Sequence, residues 1–485
     1  MTLIDPDTSD TSGVFDGAWR PSRGGTLEVT NPATGTRIAT VGLADADDMK
    51  LAIAGAVAAA PAWAATSAHV RAETMRNAAQ VLTVHREEVI GWLVREGGAV
   101  RGKAEYEVGA SIDELWTAAA IATRPPGHVL AAGPGEHSVA TRVPHGVVGV
   151  ISPWNVPLLL AMRALAPALA LGNAVVLKPD VHTPVSGGHV IARVFTEAGL
   201  PPGVLHVLPG DAAPGEALVS HPDVAMIAFT GSSAVGRRIG ATAGRLLKRV
   251  SLELGGNNPF LVLADADVEA AASAGAWGSF FHGGQICMQA GRHIVHRAVA
   301  EEYVGLLAAK AGALRVGDPA GDVDLGPLIS PEQLSRVDRI VRETVAAGAS
   351  LLAGGVSDGQ CYLPTVLGGV TPGMPAFEEE IFGPVAPVTV VDSDDEAVAM
   401  ANSTEYGLSA AVFTSDVARG DALGTRLRVG MVHVNDQTIN DAAHVPFGGV
   451  GASGNGARHG ADHSWDEFTR WQWRTTNTTP VRYPW

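Results

Sequence analysis

Cys287 is one of only two cysteines in a chain of 485 residues, the other being Cys361. So sparing a use of cysteine argues against a disulfide framework or a thiolate metal site. Cys287 ends the stretch Gly283-Gly284-Gln285-Ile286-Cys287, whose glycines and polar residue suit an accessible thiol. It is therefore a candidate nucleophile, although a free cysteine is more often a small buried apolar residue. Cys361 lies in no such setting, and we expect it to be structural.

Three polar residues at the ends of predicted strands could serve the chemistry of a thiol. Asn155 follows one strand, and an amide placed there can donate to a developing oxyanion. Lys178 ends another strand, where its ammonium could hold ribose hydroxyls or simply face solvent. Glu253 lies between two leucines before a glycine pair, and burial should raise the pKa of this carboxyl towards that of a useful general base.

Two glycine-rich stretches could bind the phosphates of a nucleotide. In residues 229–236 a strand runs into a loop and a helix leaves it, so Ser232 or Ser233 can cap a helix whose free N–H groups favour an anion. A plain capped turn explains this pattern equally well. Residues 449–454 fit G-x-G-x-x-G, but the preceding strand ends near Asn435 and no long helix can follow. We therefore interpret 449–454 as a flexible loop.

The elements that would position these residues alternate between strands and helices from residue 147 onward. Continuous apolar strands with helical crossovers indicate a parallel sheet covered on both faces, with ligands at the carboxyl ends of the strands. The predicted strands are 147–151, 174–177, 204–208, 225–229 and 249–254, and the predicted helices are 158–171, 184–198 and 234–243. A second α/β series is predicted at 260–263, 267–281 and 431–434. Before both series, helices are predicted at 44–65, 67–96 and 101–123.

Composition limits the class of protein. Apolar residues make up 46% and charged residues 17%, which is ordinary for an α/β enzyme. A net charge of −16 would repel a phosphate backbone, so we expect no nucleic-acid partner. The apolar runs 51–65 and 156–172 are short or interrupted and no export signal is visible, so we expect no membrane segment and a cytoplasmic location. The 16 histidines show no ligand spacing, and we expect no metal.

Six blocks of sequence together resemble the signature of the aldehyde dehydrogenase superfamily. They occur in the order and at the spacing of that family, and the resemblance covers nearly the whole chain. The blocks are Pro153-Trp154-Asn155, Lys178-Pro179, Phe229-Thr230-Gly231-Ser232, Glu253-Leu254-Gly255-Gly256, Gly284-Gln285-Ile286-Cys287 and Glu379-Glu380-Ile381-Phe382-Gly383-Pro384-Val385. The resemblance implies an α/β fold with a Rossmann-like parallel-sheet cofactor domain, a second α/β catalytic domain and a small β oligomerisation ribbon.

The resemblance also implies a role for each candidate residue. Cys287 attacks the aldehyde carbon, while Asn155 and the Cys287 backbone N–H hold the thiohemiacetal oxygen. Loss of hydride to the cofactor leaves a thioester, and Glu253 activates the water that hydrolyses it. Lys178 and Glu380 match residues that bind the two riboses of NAD. The expected cofactor-binding residues are Trp154, Lys178, Gly210, Gly231, Ser232, Gly236, Leu254, Glu380 and Phe382.

One departure from the family pattern concerns the choice between NAD and NADP. Many NAD-preferring members have a Glu three residues after the strand-end lysine, where this chain has Val181 beside Asp180. Loss of that carboxylate removes a repulsion against a 2′-phosphate, whereas Asp180 could restore part of the preference for NAD. We expect NAD, with NADP possible.

The residues around Cys287 are similar to those of the benzaldehyde dehydrogenase branch, which oxidises aromatic aldehydes. Flat rings suit apolar walls, and the expected tunnel walls are Ile286, Met288, Ile439 and Phe447. If these are ordinary core residues, the substrate is aliphatic. Two alternatives are a CoA-acylating semialdehyde dehydrogenase and a non-catalytic relative. The first generally lacks a base at the position of Glu253, and the second would not need Cys287, Asn155 and Glu253 together. A thiol hydrolase would need a base beside the cysteine, and none is evident.

The resemblance finally sets the expected domains and assembly. Residues 1–125 and 142–255 would form the NAD(P)-binding domain, and 256–450 the catalytic domain. The β-prone segment 126–141 and the tryptophan-rich tail 465–485 match regions that join subunits in this family, so we expect a homodimer or homotetramer. From its apolar character alone, the tail should pack either on its own domain or on a partner subunit.

Overall fold

Strands and helices alternate along most of the chain in the computed structural model, which describes residues 2–4 and 13–485. The α-helices are α1 (Ala46–Ala65), α2 (Ala68–Val84), α3 (Arg86–Gly97), α4 (Arg101–Ala122), α5 (Pro157–Ala170), α6 (Val190–Glu197), α7 (Ala212–Ser220), α8 (Ser233–Arg245), α9 (Val268–Phe280), α10 (Arg297–Ala313), α11 (Pro331–Ala346), α12 (Pro375–Glu378), α13 (Asp394–Ala401), α14 (Val417–Gly424) and α15 (Ala461–Glu467). The strands are β1 (Gly13–Phe15), β2 (Trp19–Pro21), β3 (Thr26–Thr30), β4 (Arg37–Gly42), β5 (Gly127–Leu130), β6 (Glu136–Pro144), β7 (Val147–Ile151), β8 (Ala174–Lys178), β9 (Leu205–Val207), β10 (Val224–Thr230), β11 (Arg249–Glu253), β12 (Asn258–Val262), β13 (Ala290–His296), β14 (Ser350–Ala353), β15 (Ser357–Asp358), β16 (Cys361–Tyr362), β17 (Thr365–Gly368), β18 (Val385–Val391), β19 (Ser409–Phe413), β20 (Met431–Val434) and β21 (Thr469–Asn477).

The first large sheet has the strand order β11-β10-β7-β8-β9-β1-β2, and β7 to β11 run parallel. Every residue of β7 is buried, as expected for a strand covered on both faces. The register places Ile151 opposite Lys178 and Thr230 opposite Glu253. Because these pairs end their strands, the segments that follow β7, β8, β10 and β11 meet at one edge of the sheet.

The second large sheet has the order β14-β17-β18-β13-β12-β19-β20 and is parallel except for the pair β14 and β17. Cys287 lies in the short connection between α9 and β13, and β13 is at the middle of this sheet. Asp267 caps the start of α9 by accepting a hydrogen bond from the Ala270 N–H. The two large sheets with their helices confirm the predicted α/β fold class.

The third sheet joins the predicted ribbon to the tail. Its antiparallel order is β21-β6-β5, and β21 pairs with β6 from Thr469 opposite Pro144 to Asn477 opposite Glu136. The Trp473 indole also donates to Ser138 Oγ at 3.0 Å. The tail therefore packs as a strand against its own chain, which was one of the two alternatives left by the sequence.

Two predicted helices are divided in the structure. The segment 67–96 breaks at His85, which leaves the helical region (φ −96°, ψ 16°) and whose ring lies 3.3 Å from Glu88 in the first turn of α3. The segment 184–198 begins as a π-helix, Val185–His189, before α6. Two of its first N–H groups donate to the Glu96 carboxylate at 2.7 and 2.8 Å, which anchors the irregular turn.

In the part of the chain that the structure describes, one bent pair of helices has the length and composition of a membrane span. Among residues 2–4 and 13–485, no single helix is long and apolar enough to cross a membrane. Helices α1 and α2 reach the length and apolar composition of a membrane span only when they are taken together, and a bend of 115° separates them.

Candidate active site

Cys287 is held by a tight turn between α9 and β13. Residues 282–284 have positive φ angles between 54° and 68°. A Cβ added at Gly284 would lie 2.1 Å from the carbonyl oxygen of Gly383, so this position accepts only glycine. After the turn, the carbonyl oxygen of Cys287 accepts a hydrogen bond from Asn258 Nδ2 at 2.8 Å. The half-buried thiol is therefore presented by a fixed backbone.

Asn155, in the loop after β7, is anchored beside this turn. Its side chain is 4% exposed, and Nδ2 donates to the carbonyl oxygen of Gln285 at 2.8 Å. The backbone carbonyl oxygen of Asn155 accepts a hydrogen bond from Lys103 Nζ at 2.8 Å, and Lys103 also donates to Glu107 at 2.5 Å. The second N–H of the Asn155 amide has no such partner in the described chain and can donate to a reacting oxygen. The anchoring pair Lys103 and Glu107 was not predicted from the sequence, where its signal is opposite charge four residues apart on a helix.

Glu253 ends β11 as a buried carboxylate. It is 4% exposed, and neither of its oxygens has a hydrogen-bond partner among the residues the structure describes. Burial raises the pKa of Glu253 well above its usual value, against the opposing charges of Arg163 and Arg458. The sequence prediction of a raised pKa at this position therefore agrees with the structure.

The glycine pair after Glu253 allows the cysteine turn and a second carboxylate to come close. A Cβ at Gly256 would lie 2.4 Å from the carbonyl oxygen of Cys287, and one at Gly255 would lie 2.2 Å from Glu380 Oε2. Glu380 Oε1 accepts from the Gly256 N–H at 2.9 Å, and burial raises the pKa of Glu380 to about 7. Burial first, then Glu380 and Glu253, raise the pKa of the Cys287 thiol to about 12. Burial and the charges of these two carboxyl groups therefore disfavour the thiolate form of Cys287.

A groove of about 720 Å³ opens at the carboxyl edge of the first sheet. Lys178 Nζ donates to the carbonyl oxygen of Gly210 at 2.6 Å, so the ammonium is fixed at the rim of the groove. Ser232, rather than Ser233, caps α8 by accepting from the Val235 N–H at 3.4 Å. The predicted cofactor residues that line the groove are Trp154, Lys178, Gly210, Gly231 and Ser232.

The other predicted cofactor residues lie around this groove. The rings of Phe382 and Trp154 meet edge to face, with centroids 5.4 Å apart, and Phe382 has a positive φ of 55°. Phe382 and Glu380 thus stand between the groove and the cysteine turn. Gly236 and Leu254 pack against each other behind the groove wall, since a Cβ at Gly236 would lie 2.4 Å from Leu254 Cδ2. Their placement is structural support for the loop and the strand end.

Asp180 and Val181 also line the groove, next to Lys178. Asp180 accepts from the His182 backbone N–H at 2.9 Å and lies 2.7 Å from His182 Nδ1. Although burial acts to raise it, the hydrogen bonds and charge of His182 keep the pKa of Asp180 below its usual value. A carboxylate therefore does stand at this rim, one residue away from the family position.

An apolar cluster packs against the cysteine. Ile286, Met288 and Phe447 form it together with Leu408. Cys287 packs against this cluster, and so does Ile439. Phe281 and Met431 do so too, although neither is among the predicted tunnel residues. The structure thus brings together all four predicted tunnel residues around the thiol: Ile286, Met288, Ile439 and Phe447.

A buried ionic group that the sequence analysis missed adjoins this cluster. Arg163 of α5 donates from Nε to Glu114 Oε1 at 3.1 Å and pairs through Nη2 with Asp441 Oδ2. Its guanidinium lies 4.5 Å from the ring centroid of Phe447. The available signal was a single arginine in a helix whose other residues are all apolar or proline, because such a charge is buried only with partners.

The sequence profile of the aldehyde dehydrogenase family matches residues 19–474. The chain belongs to the aldehyde dehydrogenase family. It is accordingly an enzyme that oxidises aldehydes, as the resemblance predicted. In this aldehyde dehydrogenase the cysteine turn, the groove and the apolar cluster all lie inside the matched range.

Curated relatives and solved structures resemble this aldehyde dehydrogenase over nearly its whole length. An NAD(+) benzaldehyde dehydrogenase of Pseudomonas putida is 50% identical and covers 97% of each chain. A vanillin dehydrogenase of an Amycolatopsis species is 49% identical and covers 100% of each chain. The structure of a Staphylococcus aureus betaine aldehyde dehydrogenase in complex with NAD+ superposes with a TM-score of 0.95 at 28% identity, covering 98% of this chain and 97% of that one.

Proposed function

We propose that this aldehyde dehydrogenase oxidises aromatic aldehydes to carboxylic acids with NAD, through a thiohemiacetal and a thioester on Cys287. The observation that carries the proposal is the position of Cys287. Cys287 packs against the apolar cluster of Ile286, and the charge of Glu253 acts on its thiol. The Asn155 amide is bonded two residues away, at the carbonyl oxygen of Gln285.

The thiohemiacetal forms when the Cys287 sulfur bonds to the aldehyde carbon and the thiol proton leaves to solvent. The carbonyl oxygen becomes an oxyanion, and the free N–H of Asn155 and the Cys287 backbone N–H donate to it. Such donors stabilise the transition state most when they are fixed in advance, as Asn155 is by Gln285 and Lys103. The thioester forms when the oxyanion collapses to a carbonyl and the C–H bond breaks with loss of hydride, for which NAD+ bound in the groove would supply the acceptor.

The thioester is then hydrolysed by water. The Glu253 carboxylate takes a proton from the water as the water oxygen bonds to the thioester carbon. The bond between that carbon and the Cys287 sulfur then breaks, and the sulfur leaves. A raised pKa suits this role because it makes the carboxylate a stronger base near neutral pH. Because neither Glu253 oxygen has a hydrogen-bond partner among the residues that the structure describes, both are available for the water.

The groove fits a dinucleotide. Lys178 would hold the adenosine ribose, the capped N-terminus of α8 at Gly231 and Ser232 would face the pyrophosphate, and Phe382 with Glu380 would hold the nicotinamide ribose. We propose NAD as the preferred cofactor, because the Asp180 carboxylate beside Lys178 would repel a 2′-phosphate. The name of the Pseudomonas putida relative supports this choice.

The substrate class rests on the apolar cluster and on the relatives. Walls made by Met288, Ile286 and Phe447 suit a flat ring, and two relatives near 50% identity carry names of aromatic aldehyde dehydrogenases. The test is NADH or NADPH formation with aromatic and aliphatic aldehydes at equal concentration. We expect aromatic aldehydes and NAD to give the highest kcat/KM. A clear preference for short aliphatic aldehydes would overturn the substrate class without affecting the assignment to the family.

We also propose that the third sheet joins subunits in a homodimer or homotetramer, with 1–125 and 142–255 as cofactor domain and 256–450 as catalytic domain. Several large apolar side chains on this sheet and its tail face solvent in the single chain, including Val129 at 77% and Trp473 at 70% exposed. Light scattering should give a mass of two or four chains, and a monomer would contradict the proposal. The free thiols of both cysteines are compatible with the proposed cytoplasmic location.

A further inference from the structure

A second cavity, of about 260 Å³, adjoins the apolar cluster on the side of α4 and α5. It is lined partly by apolar residues and partly by ionisable groups. Those groups are Tyr106, Asp113, Glu114, Arg163 and Asp441.

The cavity is connected to the reactive thiol through one aromatic ring. Arg163 lines the cavity, and its guanidinium lies 4.5 Å from the ring centroid of Phe447. Phe447 in turn belongs to the apolar cluster against which Cys287 packs. Arg163 and Asp441 are also close enough for their charges to act on the Cys287 thiol, so the polar groups of the cavity lie near a substrate ring held in this cluster.

Asp441 has an acceptor that no group in residues 2–4 and 13–485 uses. Its Oδ2 is paired with Arg163, but Oδ1 is buried without a hydrogen-bond partner in the part of the chain that the structure describes. The side chain is only 6% exposed. Buried carboxylate oxygens nearly always receive a hydrogen bond, so an unpaired one on a residue that lines a cavity points to a donor on the ligand.

We propose that Asp441 Oδ1 accepts a hydrogen bond from a hydroxyl group on the substrate ring, which makes hydroxybenzaldehydes the preferred substrates of this site. The inference rests on the proposed function, since it requires an aromatic aldehyde at Cys287. Arg163 is a positioning residue in this scheme, because its bonds to Glu114 and Asp441 fix the carboxylate that receives the hydroxyl.

The surrounding charges favour a neutral donor over a charged one. A substrate cation could not stack on the face of Phe447 that the Arg163 guanidinium already covers, and it would be repelled there. A substrate carboxylate would meet Asp441, Glu114 and Asp113, while two of the Arg163 nitrogens are already paired. A phenolic hydroxyl carries one proton to donate and no charge, so it satisfies Oδ1 without either repulsion.

The first test compares substrates of the wild-type enzyme by kcat/KM with NAD. The probes are 4-hydroxybenzaldehyde and 3-hydroxybenzaldehyde, with 4-methoxybenzaldehyde as a control of similar electron donation and 4-fluorobenzaldehyde as a control of similar size. Neither control has a proton to donate. We expect the better hydroxybenzaldehyde to exceed both controls by roughly 10- to 100-fold, the range for a hydrogen bond to a charged group. The advantage should fall at alkaline pH, where the phenol ionises and loses its proton.

The second test changes the acceptor. In Asp441→Asn, Arg163 has only donors to offer and will orient the amide oxygen towards itself, so an N–H group replaces Oδ1 in the cavity. We expect the ratio of hydroxy to methoxy kcat/KM to fall at least 10-fold. Using the ratio removes any general loss of activity. The matched control is Asp421→Asn, an exposed carboxylate on α14 that should leave the ratio unchanged.

The outcomes separate this inference from the proposed function. Turnover of benzaldehyde with no advantage for a ring hydroxyl, or an unchanged ratio in Asp441→Asn, would overturn the role of Asp441 and leave aromatic aldehyde oxidation standing. Activity confined to aliphatic aldehydes would overturn both. If Asp441→Asn does not fold, the wild-type comparison and its pH dependence still decide the question.

Discussion

Replacing Glu253 with Gln should separate the two halves of the reaction. The substitution keeps the shape of the side chain but removes the base that activates the hydrolytic water. Both carboxylate oxygens are buried, and neither has a hydrogen-bond partner among the described residues. In that part of the chain, no group already bonded to Glu253 could therefore replace it as the base. General bases contribute about 10²- to 10⁴-fold, and we expect steady-state kcat to fall within that range.

The first half of the reaction should be spared in Glu253→Gln. The negative charge of Glu253 is one of the causes that raise the pKa of the Cys287 thiol, so its removal lowers that pKa and favours the thiolate. Stopped-flow measurement should therefore show a rapid burst of about one NADH per active site, followed by slow turnover. Intact-mass analysis of the quenched protein should show an acyl group on the chain.

A matched control for this experiment is Glu269→Gln, an exposed glutamate in the first turn of α9. It should have wild-type turnover and no accumulated acyl-enzyme. If the burst in Glu253→Gln slows as much as the steady state, Glu253 acts on the thiol rather than on the water. If added CoA restores turnover, the enzyme belongs to the acylating type.

Further expected results follow from the same geometry. Asn155→Ala should lower kcat about 10²- to 10³-fold with NAD saturating, as for loss of one oxyanion donor, and an effect confined to KM would contradict the role. Lys178→Ala should raise KM for NAD more than KM for the aldehyde in initial-rate measurements, because the ammonium lies in the groove and not in the apolar cluster. The rate of thioester hydrolysis should fall as the pH falls through the pKa of Glu253, which lies above the usual glutamate range. Pre-steady-state kinetics should show no such pH dependence in Glu253→Gln. This raised pKa means that the folded state binds the proton more tightly than the unfolded state. The free energy of unfolding therefore rises as the pH falls through that pKa. Glu253→Gln removes the buried charge, so it should increase the thermal midpoint most at high pH.

The sequence was most informative where local pattern decides structure. The strand Val147–Ile151 was predicted with its observed bounds because four apolar residues and one glycine lie between turn signals. The residues that follow such strands must meet at one sheet edge, so Asn155, Lys178 and Glu253 could be grouped before their positions were known. Their chemical roles came from the family resemblance and not from the pattern.

Contacts between distant parts of the chain could not be predicted in this way. β21 pairs with β6 more than 300 residues earlier, and neither strand contains a signal for its partner. Arg163 meets Asp441 across 278 positions, and a single arginine in an apolar helix indicates only that some partner exists. The break at His85 was hidden because the apolar periodicity continues on both sides of it.

The most direct test of the account is turnover of an aromatic aldehyde by Cys287→Ala, compared with Cys361→Ala. Cys361 is the other free cysteine and is buried in β16, away from the described site. With benzaldehyde and NAD, we predict NADH formation by the wild type and by Cys361→Ala, and none by Cys287→Ala. Turnover that survives in Cys287→Ala would contradict covalent catalysis by this thiol.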